Sequence, residues 1–321
     1  MNREKVILDC DPGIDDALAI LLAFASPELE ILAITTVSGN LHVDKTSINA
    51  LKILELIGVK DVPVARGAEK PLFRELPRDP FSHGEDGLGN TWLPEPSLKL
   101  HPKHASDVII EKISENKEDI SLISTGPLSN IALALLKEKR LTKWIKKHVM
   151  IGGIYGVTPY GYINATGLTP VSEWNINVDP EAAKIVFNSG MPIMAIGIDV
   201  TTMPSAEFKK EHLEKLAKVD TPITRFAIKA VRYIMDRGFP MHLHDPMAIV
   251  ATTHSNLFKF TKLRVDVEVK GELTLGQTVT EHRLRFKWGE NKPEINVAYD
   301  VNGPTLIDLF IERIQSLKKI I

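Results

Sequence analysis

Short apolar runs rich in β-branched residues alternate with longer segments of helical periodicity along this chain of 321 residues. The runs predicted as strands are 6–9, 31–37, 120–124, 149–151 and 192–200, and the helical segments are 15–25, 43–57, 128–137 and 180–189. Strands that are apolar throughout and separated by helices are typical of parallel sheets covered on both faces. The sequence therefore predicts an α/β fold with a mostly parallel, doubly wound sheet of the Rossmann kind.

The rest of the chain adds helices and strands to this sheet without a shift of composition that would mark a linker. The additions are a mostly helical region, two late strands and a closing amphipathic helix: 206–253, 263–269, 295–301 and 305–318. We therefore predict one large domain over residues 1–321. Two long segments rich in glycine and proline are typical of loops that cover a binding site: 70–102 and 155–172.

Composition narrows the class of protein. Hydrophobic residues make up 44% of the chain, charged residues 25%, and the net charge is −2, without a basic run, which argues against a nucleic-acid partner. Cys10 is the only cysteine, so no disulfide can form within the chain, and a reducing compartment fits. The sequence shows neither a signal-peptide pattern nor an apolar stretch long enough for a bilayer, so we expect a cytoplasmic protein without membrane contact.

The most informative segment directly follows the first predicted strand. It carries four carboxylates within a stretch of eight residues: Asp9, Asp11, Asp15 and Asp16. Ligands bind at the carboxyl ends of strands in a doubly wound sheet, and carboxylates this close together need a positive charge to offset their repulsion. Oxygen ligands of this kind suit calcium or magnesium better than zinc. An acidic helix cap facing solvent is the alternative, and it explains one or two carboxylates better than four.

Further strand ends carry groups that could complete a cation site. Thr125 follows the strand at 120–124 and precedes a Gly-Pro pair, which leaves its carbonyl free to point at a cation. Asp245 offers another hard ligand, and its neighbour His244 can exchange a proton near neutral pH. Each has an ordinary structural alternative, because Gly-Pro turns are common and an Asp before a proline often caps a helix.

A second group of polar residues suits the recognition of hydroxyl groups. Glu173 and Asn175 alternate onto one face of an extended segment, and Asn40 ends the second predicted strand. His83 lies in a glycine-rich loop. The structural alternatives are a helix cap for the first pair, a turn residue for Asn40 and a solvated loop residue for His83.

Residues 9–17, Asp-Cys-Asp-Pro-Gly-Ile-Asp-Asp-Ala, closely resemble the signature of the inosine/uridine-preferring nucleoside hydrolases. The resemblance extends over nearly the whole chain through motifs in the family's order: 35–40, 83–89, 125–128, 152–153, 170–175, 178–183 and 244–246. It implies an enzyme that hydrolyses the N-glycosidic bond of ribonucleosides to ribose and free base. It also implies assembly as a homotetramer or homodimer.

The resemblance assigns a role to each residue of the site. It implies a calcium ion held by Asp11, Asp16, Asp245 and the backbone carbonyl of Thr125. It implies that Asp11 is also the general base that activates a calcium-bound water, with Asp9 behind the metal site. The residues implied to hold the ribose are Asp15, Asn40, Glu173 and Asn175. His244 would serve the leaving base, with His83 on a loop over it.

The sequence departs from the family at the ribose and is less defined at the base. Where the family carries another ribose-binding Asn, this chain has Gly167, and Asn164 in the preceding loop is the candidate substitute. On the helix predicted near 226–237, Tyr233 and Arg237 lie four residues apart and therefore on one face. By resemblance they would contact the base, and the alternative is a core tyrosine with a solvated arginine.

Two other functions compete with nucleoside hydrolysis. Asp9 and Asp11 have the Asp-x-Asp spacing of phosphohydrolases of the haloacid dehalogenase type, although Gly13 stands where those enzymes carry Thr or Val. A calcium-dependent sugar- or nucleoside-binding protein is the second alternative. An exported binder would carry a signal sequence, and the combination of Asp11 with His244 exceeds what binding requires.

We predict close to one equivalent of calcium per chain in protein purified without chelator, because the implied ligands are three carboxylates and a carbonyl. Elemental analysis measures this content, and Asp16→Ala should lose metal and activity together. Stoichiometric zinc, or full activity in excess chelator, would contradict the prediction.

Overall fold

The computed structural model describes residues 3–77, 82–283, 285 and 288–319. Its strands are β1 Glu4–Cys10, β2 Leu29–Thr36, β3 Val64–Arg66, β4 Ile120–Ser124, β5 Lys147–Ile151, β6 Ile193–Ile196, β7 Phe258–Val267, β8 Thr278–Thr280 and β9 Glu294–Val301. Its helices are α1 Ile14–Ala25, α2 Val43–Ile57, α3 Ala105–Glu115, α4 Ser129–Lys137, α5 Leu141–Trp144, α6 Tyr160–Ile163, α7 Trp174–Val178, α8 Pro180–Phe187, α9 Ile198–Thr201, α10 Lys210–Leu216, α11 Pro222–Met235, α12 Pro246–Thr253 and α13 Gly303–Ser316.

Within these residues the strands form one sheet in the order β3-β2-β1-β4-β5-β6-β9-β7-β8. The pairs from β3 through β6 to β9 are parallel, and β7 runs antiparallel to both β9 and β8. The predicted doubly wound and mostly parallel α/β fold is confirmed. Of the two late strands, β9 continues the parallel sheet beside β6, and β7 runs in the opposite direction, which adds an antiparallel edge.

Helices cover both faces of the sheet because its central strands are apolar on both sides. Along β1, Val6 and Leu8 pack into one hydrophobic core while Ile7 packs into the other, as the alternation of side chains in a strand requires. Helices α1, α2, α12 and α13 pack together on the first face, and α3, α4 and α8 on the second. None of the helices in the described part of the chain is long and apolar enough to cross a membrane.

The structure corrects several predicted boundaries. The run 192–200 is not one strand, because β6 ends at Ile196 and α9 begins two residues later. Gly197 lies between them, where a Cβ would come within 2.8 Å of the Gly153 carbonyl oxygen. The strand predicted at 263–269 begins earlier and ends earlier, since β7 runs from Phe258 to Val267. The sequence did not predict β3 and β8, because three residues are too few to show a periodicity.

The two predicted loops differ in content. Residues 155–172 contain the single helical turn α6, and their start is fixed by Asp199 of α9, whose carboxylate accepts hydrogen bonds from the backbone N–H groups of Tyr155 (2.7 Å) and Val157 (3.0 Å). Of the loop at 70–102, residues 78–81 lie outside the described part of the chain. Its C-terminal part returns to the sheet, where the N–H of His101 donates to the Val64 carbonyl.

A buried histidine in the sheet has consequences for stability. His148 of β5 is fully buried, and its Nε2 lies 2.7 Å from the Ser124 hydroxyl oxygen, while its Nδ1 forms no hydrogen bond with the described residues. Burial disfavours the imidazolium and lowers the pKa of His148 to about 3. In the unfolded chain the pKa of His148 has its ordinary value near 6.5, so below that pH the unfolded chain binds a proton that the folded protein excludes. The folded protein therefore loses stability as pH falls from 6.5 toward 3.

We predict that His148→Gln gains stability relative to the wild type on acidification. Between pH 7.5 and pH 5 the free energy of unfolding of the wild type should fall by about 2 kcal/mol relative to the variant, because protons bind the unfolded imidazole. Urea unfolding of both proteins at the two pH values measures this difference. A difference that stays constant with pH would contradict the assigned pKa.

Candidate active site

A cavity of about 340 Å³ lies where the carboxyl ends of the central parallel strands meet the loops and helices that follow them. Eight of the residues predicted from sequence line it: Asp15, Asn40, His83, Thr125, Glu173, Asn175, His244 and Asp245. Two further predicted residues, Asp11 and Asp16, are fully buried. The parallel sheet thus collects residues more than two hundred positions apart in sequence.

Asp16 organises the turn between β1 and α1. Its Oδ1 accepts hydrogen bonds from the backbone N–H of Asp11 (3.2 Å) and the hydroxyl of Thr125 (2.8 Å). Its Oδ2 accepts from the N–H of Gly13 (3.1 Å) and the side-chain amide of Asn40 (3.1 Å). The carboxylate therefore connects the ends of β1, β2 and β4 and caps α1 at its positive end.

Asp11 sits between two glycines that leave space only for its carboxylate. Its Oδ2 accepts a hydrogen bond from the backbone N–H of Asn40 (2.7 Å), and its Oδ1 forms none with the described residues. A Cβ on Gly39 would overlap Oδ2, and a Cβ on Gly126 would lie 2.6 Å from Oδ1. The geometry leaves one buried carboxylate oxygen of Asp11 available for a ligand.

Three carboxylates come close enough to share a cation. Oxygens of Asp15, Asp16 and Asp245 lie within 4.8 Å of one another, and Oδ1 of Asp15 forms no hydrogen bond with the described residues. Burial, and then the neighbouring carboxylates, raise the pKa of Asp245 well above its ordinary value, and the same causes raise the pKa of Asp11. Oxygen donors with uncompensated negative charge fit a hard divalent cation.

This cluster differs in one member from the predicted ligand set. It includes Asp15, which was assigned to the ribose, and it leaves out Asp11, which was assigned to the metal. The carbonyl of Thr125 accepts a hydrogen bond from the Asn175 side chain (2.7 Å), which holds that oxygen at the cavity wall. A carbonyl has two lone pairs, so this bond leaves room for a second contact.

Glu173 and Asn175 belong to the start of α7. The Glu173 carboxylate caps this helix, accepting from the N–H groups of Asn175 (2.9 Å) and Ile176 (3.1 Å) as well as from Gly153 (3.0 Å). The helix cap, which was the structural alternative for this pair, is therefore present, and both residues also line the cavity. Burial removes water from the Glu173 carboxylate and raises its pKa, and the three backbone hydrogen bonds offset only part of this effect.

Two histidines line the cavity near the carboxylates. The Nδ1 of His244 lies 2.8 Å from the Thr201 hydroxyl oxygen, and burial lowers the pKa of His244 to about 4, with a smaller contribution from His83. The Nδ1 of His83 accepts a hydrogen bond from the N–H of Ile14 (3.0 Å). His244 is therefore neutral at pH 7, and His83 is tied to the start of α1.

Comparison with known proteins decides the family. A family model described as inosine-uridine preferring nucleoside hydrolase matches residues 6–308. The chain belongs to this family. It is therefore a ribonucleoside hydrolase, and the resemblance found in its sequence is confirmed.

Similar proteins cover nearly the whole length of the chain. A pyrimidine-specific ribonucleoside hydrolase of Photobacterium profundum is 41% identical over 323 residues, which cover 98% of this chain and 99% of that protein. A solved plant nucleoside hydrolase is 32% identical, with a TM-score of 0.89 over 98% of this chain and 100% of its own. The solved purine-preferring ribonucleoside hydrolase of Gardnerella vaginalis is 31% identical, with a TM-score of 0.88 over 99% of this chain and 100% of its own.

The family assignment removes the phosphohydrolase alternative, and the position of Asp9 agrees. Asp9 is fully buried, and its Oδ1 accepts hydrogen bonds from the Thr35 hydroxyl (2.5 Å) and the Asn130 amide (2.8 Å). Burial, outweighing these hydrogen bonds, raises the pKa of Asp9 to about 7. A nucleophilic aspartate would need access to substrate, whereas Asp9 of this nucleoside hydrolase supports β2 and α4 from within the sheet.

The predicted base contacts lie beside the cavity. The residue of α11 that lines it is Ile234, next to Tyr233. The Arg237 guanidinium stacks over the Tyr233 ring at 5.0 Å and over the Phe239 ring at 5.5 Å, and Arg237 is exposed. The contact of Tyr233 and Arg237 with a base stays a prediction.

The structure accounts for the glycine that replaces the family's asparagine. A Cβ on Gly167 would overlap the Ser172 hydroxyl oxygen, so no side chain fits there without movement. The side-chain amide of Asn164, the candidate substitute, donates to the Tyr160 carbonyl (2.9 Å) and the Thr202 hydroxyl (3.0 Å) and holds the loop together. The loop residue on the cavity wall is Thr166.

Several residues of the site received no role from the sequence. Trp174 and His242 line the cavity, Thr201 holds His244, and Asn130 holds Asp9. The position of Trp174 between Glu173 and Asn175, and that of His242 two residues before His244, were signals for two of them. Thr201 and Asn130 act across the fold, and no local pattern distinguishes them.

We predict that Gly126→Ala lowers turnover by about a hundredfold or more, because the new methyl group displaces the Asp11 carboxylate and a shift of about 1 Å at a reacting group has that effect. Gly190→Ala is the control, since a Cβ there has nothing within 4 Å, although Gly190, unlike Gly126, has a positive φ of 82°. Its free energy of unfolding should fall by about 1 kcal/mol, and its turnover should be unchanged. Steady-state rates and thermal unfolding of both variants test this, and a Gly126→Ala enzyme with more than half of normal turnover would contradict it.

Proposed function

We propose that this nucleoside hydrolase breaks the C1′–N bond of ribonucleosides with a calcium ion held by Asp11, Asp16, Asp245 and the Thr125 carbonyl. The observation that carries the proposal is a cluster of mostly buried carboxylates at a cavity lined by hydroxyl-binding groups, in which one oxygen each of Asp11 and Asp15 accepts no hydrogen bond from the described residues. All of these donors are oxygens, and calcium accepts six to eight such ligands in irregular geometry. Bound calcium would supply positive charge that orients the ribose diol and makes a neighbouring water more acidic.

Asp11 is the proposed general base. Its Oδ1 accepts no hydrogen bond within the described part of the chain, while Oδ2 is fixed by the N–H of Asn40, so one oxygen is positioned and the other is ready to accept a proton. In the reaction an attacking water forms the new C1′–O bond and gives its proton to Asp11. The electron pair of the broken C1′–N bond leaves with the base.

The ribose side is held by acids and amides that line the cavity. The transition state of this bond cleavage resembles an oxocarbenium ion, so nearby negative charge stabilises it. Glu173 supplies such a charge, and its three backbone N–H donors keep it in one position. Asp15, Asn40 and Asn175 are the proposed partners of the ribose hydroxyls, since carboxylate and amide oxygens accept from hydroxyl groups.

The departing base leaves as an anion that needs stabilisation, and His244 is the proposed hydrogen-bond donor to it. Its low pKa keeps the ring neutral at pH 7, with one N–H for the leaving group, while Thr201 fixes the orientation of the ring. Tyr233 and Arg237 are proposed to assist, and His83 is proposed to lie over the base.

For the base itself, the proposal is a preference for pyrimidine nucleosides. The similar protein of Photobacterium profundum, 41% identical to this chain, is named pyrimidine-specific, whereas the solved enzyme of Gardnerella vaginalis, named purine-preferring, is 31% identical. Higher identity over the same length supports the pyrimidine assignment. Assembly as a homodimer or homotetramer stays a prediction.

We predict that the wild type with calcium releases ribose from uridine and cytidine faster than from inosine, and that Asp11→Asn lowers kcat on uridine by about two to four orders of magnitude. Asp308→Asn is the control, because this exposed residue of α13 pairs with Lys215 away from the cavity. A reducing-sugar assay follows ribose. Background rates on all nucleosides would overturn the proposed reaction, whereas an Asp11→Asn enzyme above half of normal turnover would overturn only the role of Asp11.

A further inference from the structure

A second histidine lies in the cavity wall, and the proposed reaction gives it no role. His242 is partly buried, and its Nδ1 is shielded from solvent without a hydrogen bond to any described residue. A buried polar atom without a partner destabilises the folded protein, so its place in a binding cavity is explained if a ligand supplies the partner.

The backbone around His242 is fixed by packing. Met241 and Leu243 on either side are buried in the hydrophobic core, and the N–H of Phe208 donates to the Met241 carbonyl at 2.8 Å. Glu207 pairs with His242 in a short antiparallel bridge. Alternation along this extended segment places His242 on the same side as His244, and the two rings are 5.6 Å apart.

The protonation state of His242 defines what it can bind. Burial, and then the neighbouring His244, lower the pKa of His242 to about 4, so its ring is neutral at pH 7. A neutral imidazole has one N–H donor and one nitrogen acceptor. The edge of a nucleobase presents the same combination, a carbonyl or ring nitrogen that accepts and an N–H that donates, and the ribose hydroxyls already have Asp15, Asn40 and Asn175 as their proposed partners.

We propose that His242 is a specificity residue that hydrogen-bonds the edge of the nucleobase. The inference rests on the proposed function, because it places the base next to His244. His242 contributes to binding of the nucleoside, while His244 serves the departing base. Loss of His242 therefore acts mainly on KM, and only with substrates whose leaving group carries a base edge.

The test compares His242→Leu and His242→Gln on uridine, inosine and p-nitrophenyl riboside, whose leaving group has no base edge. His242→Leu should raise KM for uridine about tenfold, as expected for one lost hydrogen bond that leaves a polar group unpaired. Its kcat on uridine should stay within threefold, and its kinetics on the aryl riboside within twofold. His242→Gln retains a donor and an acceptor and should stay within threefold of the wild type on all substrates.

His101→Leu is the matched control, because His101 pairs with Ala65 of β3 and its Nδ1 accepts only the local N–H of Lys103. It should leave KM for uridine unchanged. Thermal unfolding and metal content of every variant establish that the site is intact. If the leucine variant does not fold, His242→Phe, which keeps a ring without its nitrogens, takes its place with the same expected loss on uridine.

Two results would overturn the assignment of His242. One is an unchanged KM for uridine in His242→Leu. The other is an equal loss on uridine and on the aryl riboside, which would show that the residue acts through the ribose or the shape of the cavity. A wild-type enzyme that cleaves the aryl riboside but no nucleoside would instead overturn the proposed function, and with it this inference.

Discussion

Repulsion among buried carboxylates is the constraint on which this structure depends. Asp11, Asp16 and Asp245 are removed from water and face one another, and burial with mutual repulsion raises their pKa values. The chain offsets part of this with hydrogen-bond donors to Asp16, which accepts from backbone N–H groups, a hydroxyl and an amide. The donors satisfy Asp16 but leave one oxygen each of Asp11 and Asp15 without a hydrogen bond from any residue that the structure describes, and this imbalance favours a cation.

The parallel sheet is what brings the participants together. Strands β1, β2 and β4 end at one edge, so the turns after them supply Asp11, Asn40 and Thr125 to the same point. Glycines at 39 and 126 allow the turns to approach the Asp11 carboxylate closely. The same close approach makes the site intolerant of side chains at these positions, because the core behind it is packed and cannot yield.

Much of the fold and of the site could be predicted from residues 9–17 and from the alternation of strands and helices, since both are local patterns. Eight predicted residues line one cavity, Asp11 lies buried directly after β1, and Asp16 lies buried in the first turn of α1. Prediction was less successful where local patterns are ambiguous. The apolar run at 192–200 changes from strand to helix at Gly197, and apolar residues in either conformation would be buried equally well.

The sequence by itself determined the fold class, the family and the carboxylates that serve the chemistry. Periodicity and a motif with four carboxylates can be recognised without knowledge of how the chain packs. Only the tertiary structure decided which side chains meet. It grouped Asp15 with Asp16 and Asp245, and the Asn164 amide with its own loop. It also left Nδ1 of His242, in the cavity wall, without a hydrogen bond to the described residues. Such contacts join residues that are distant in sequence, so they depend on how helices and loops pack against the sheet, which no local propensity encodes.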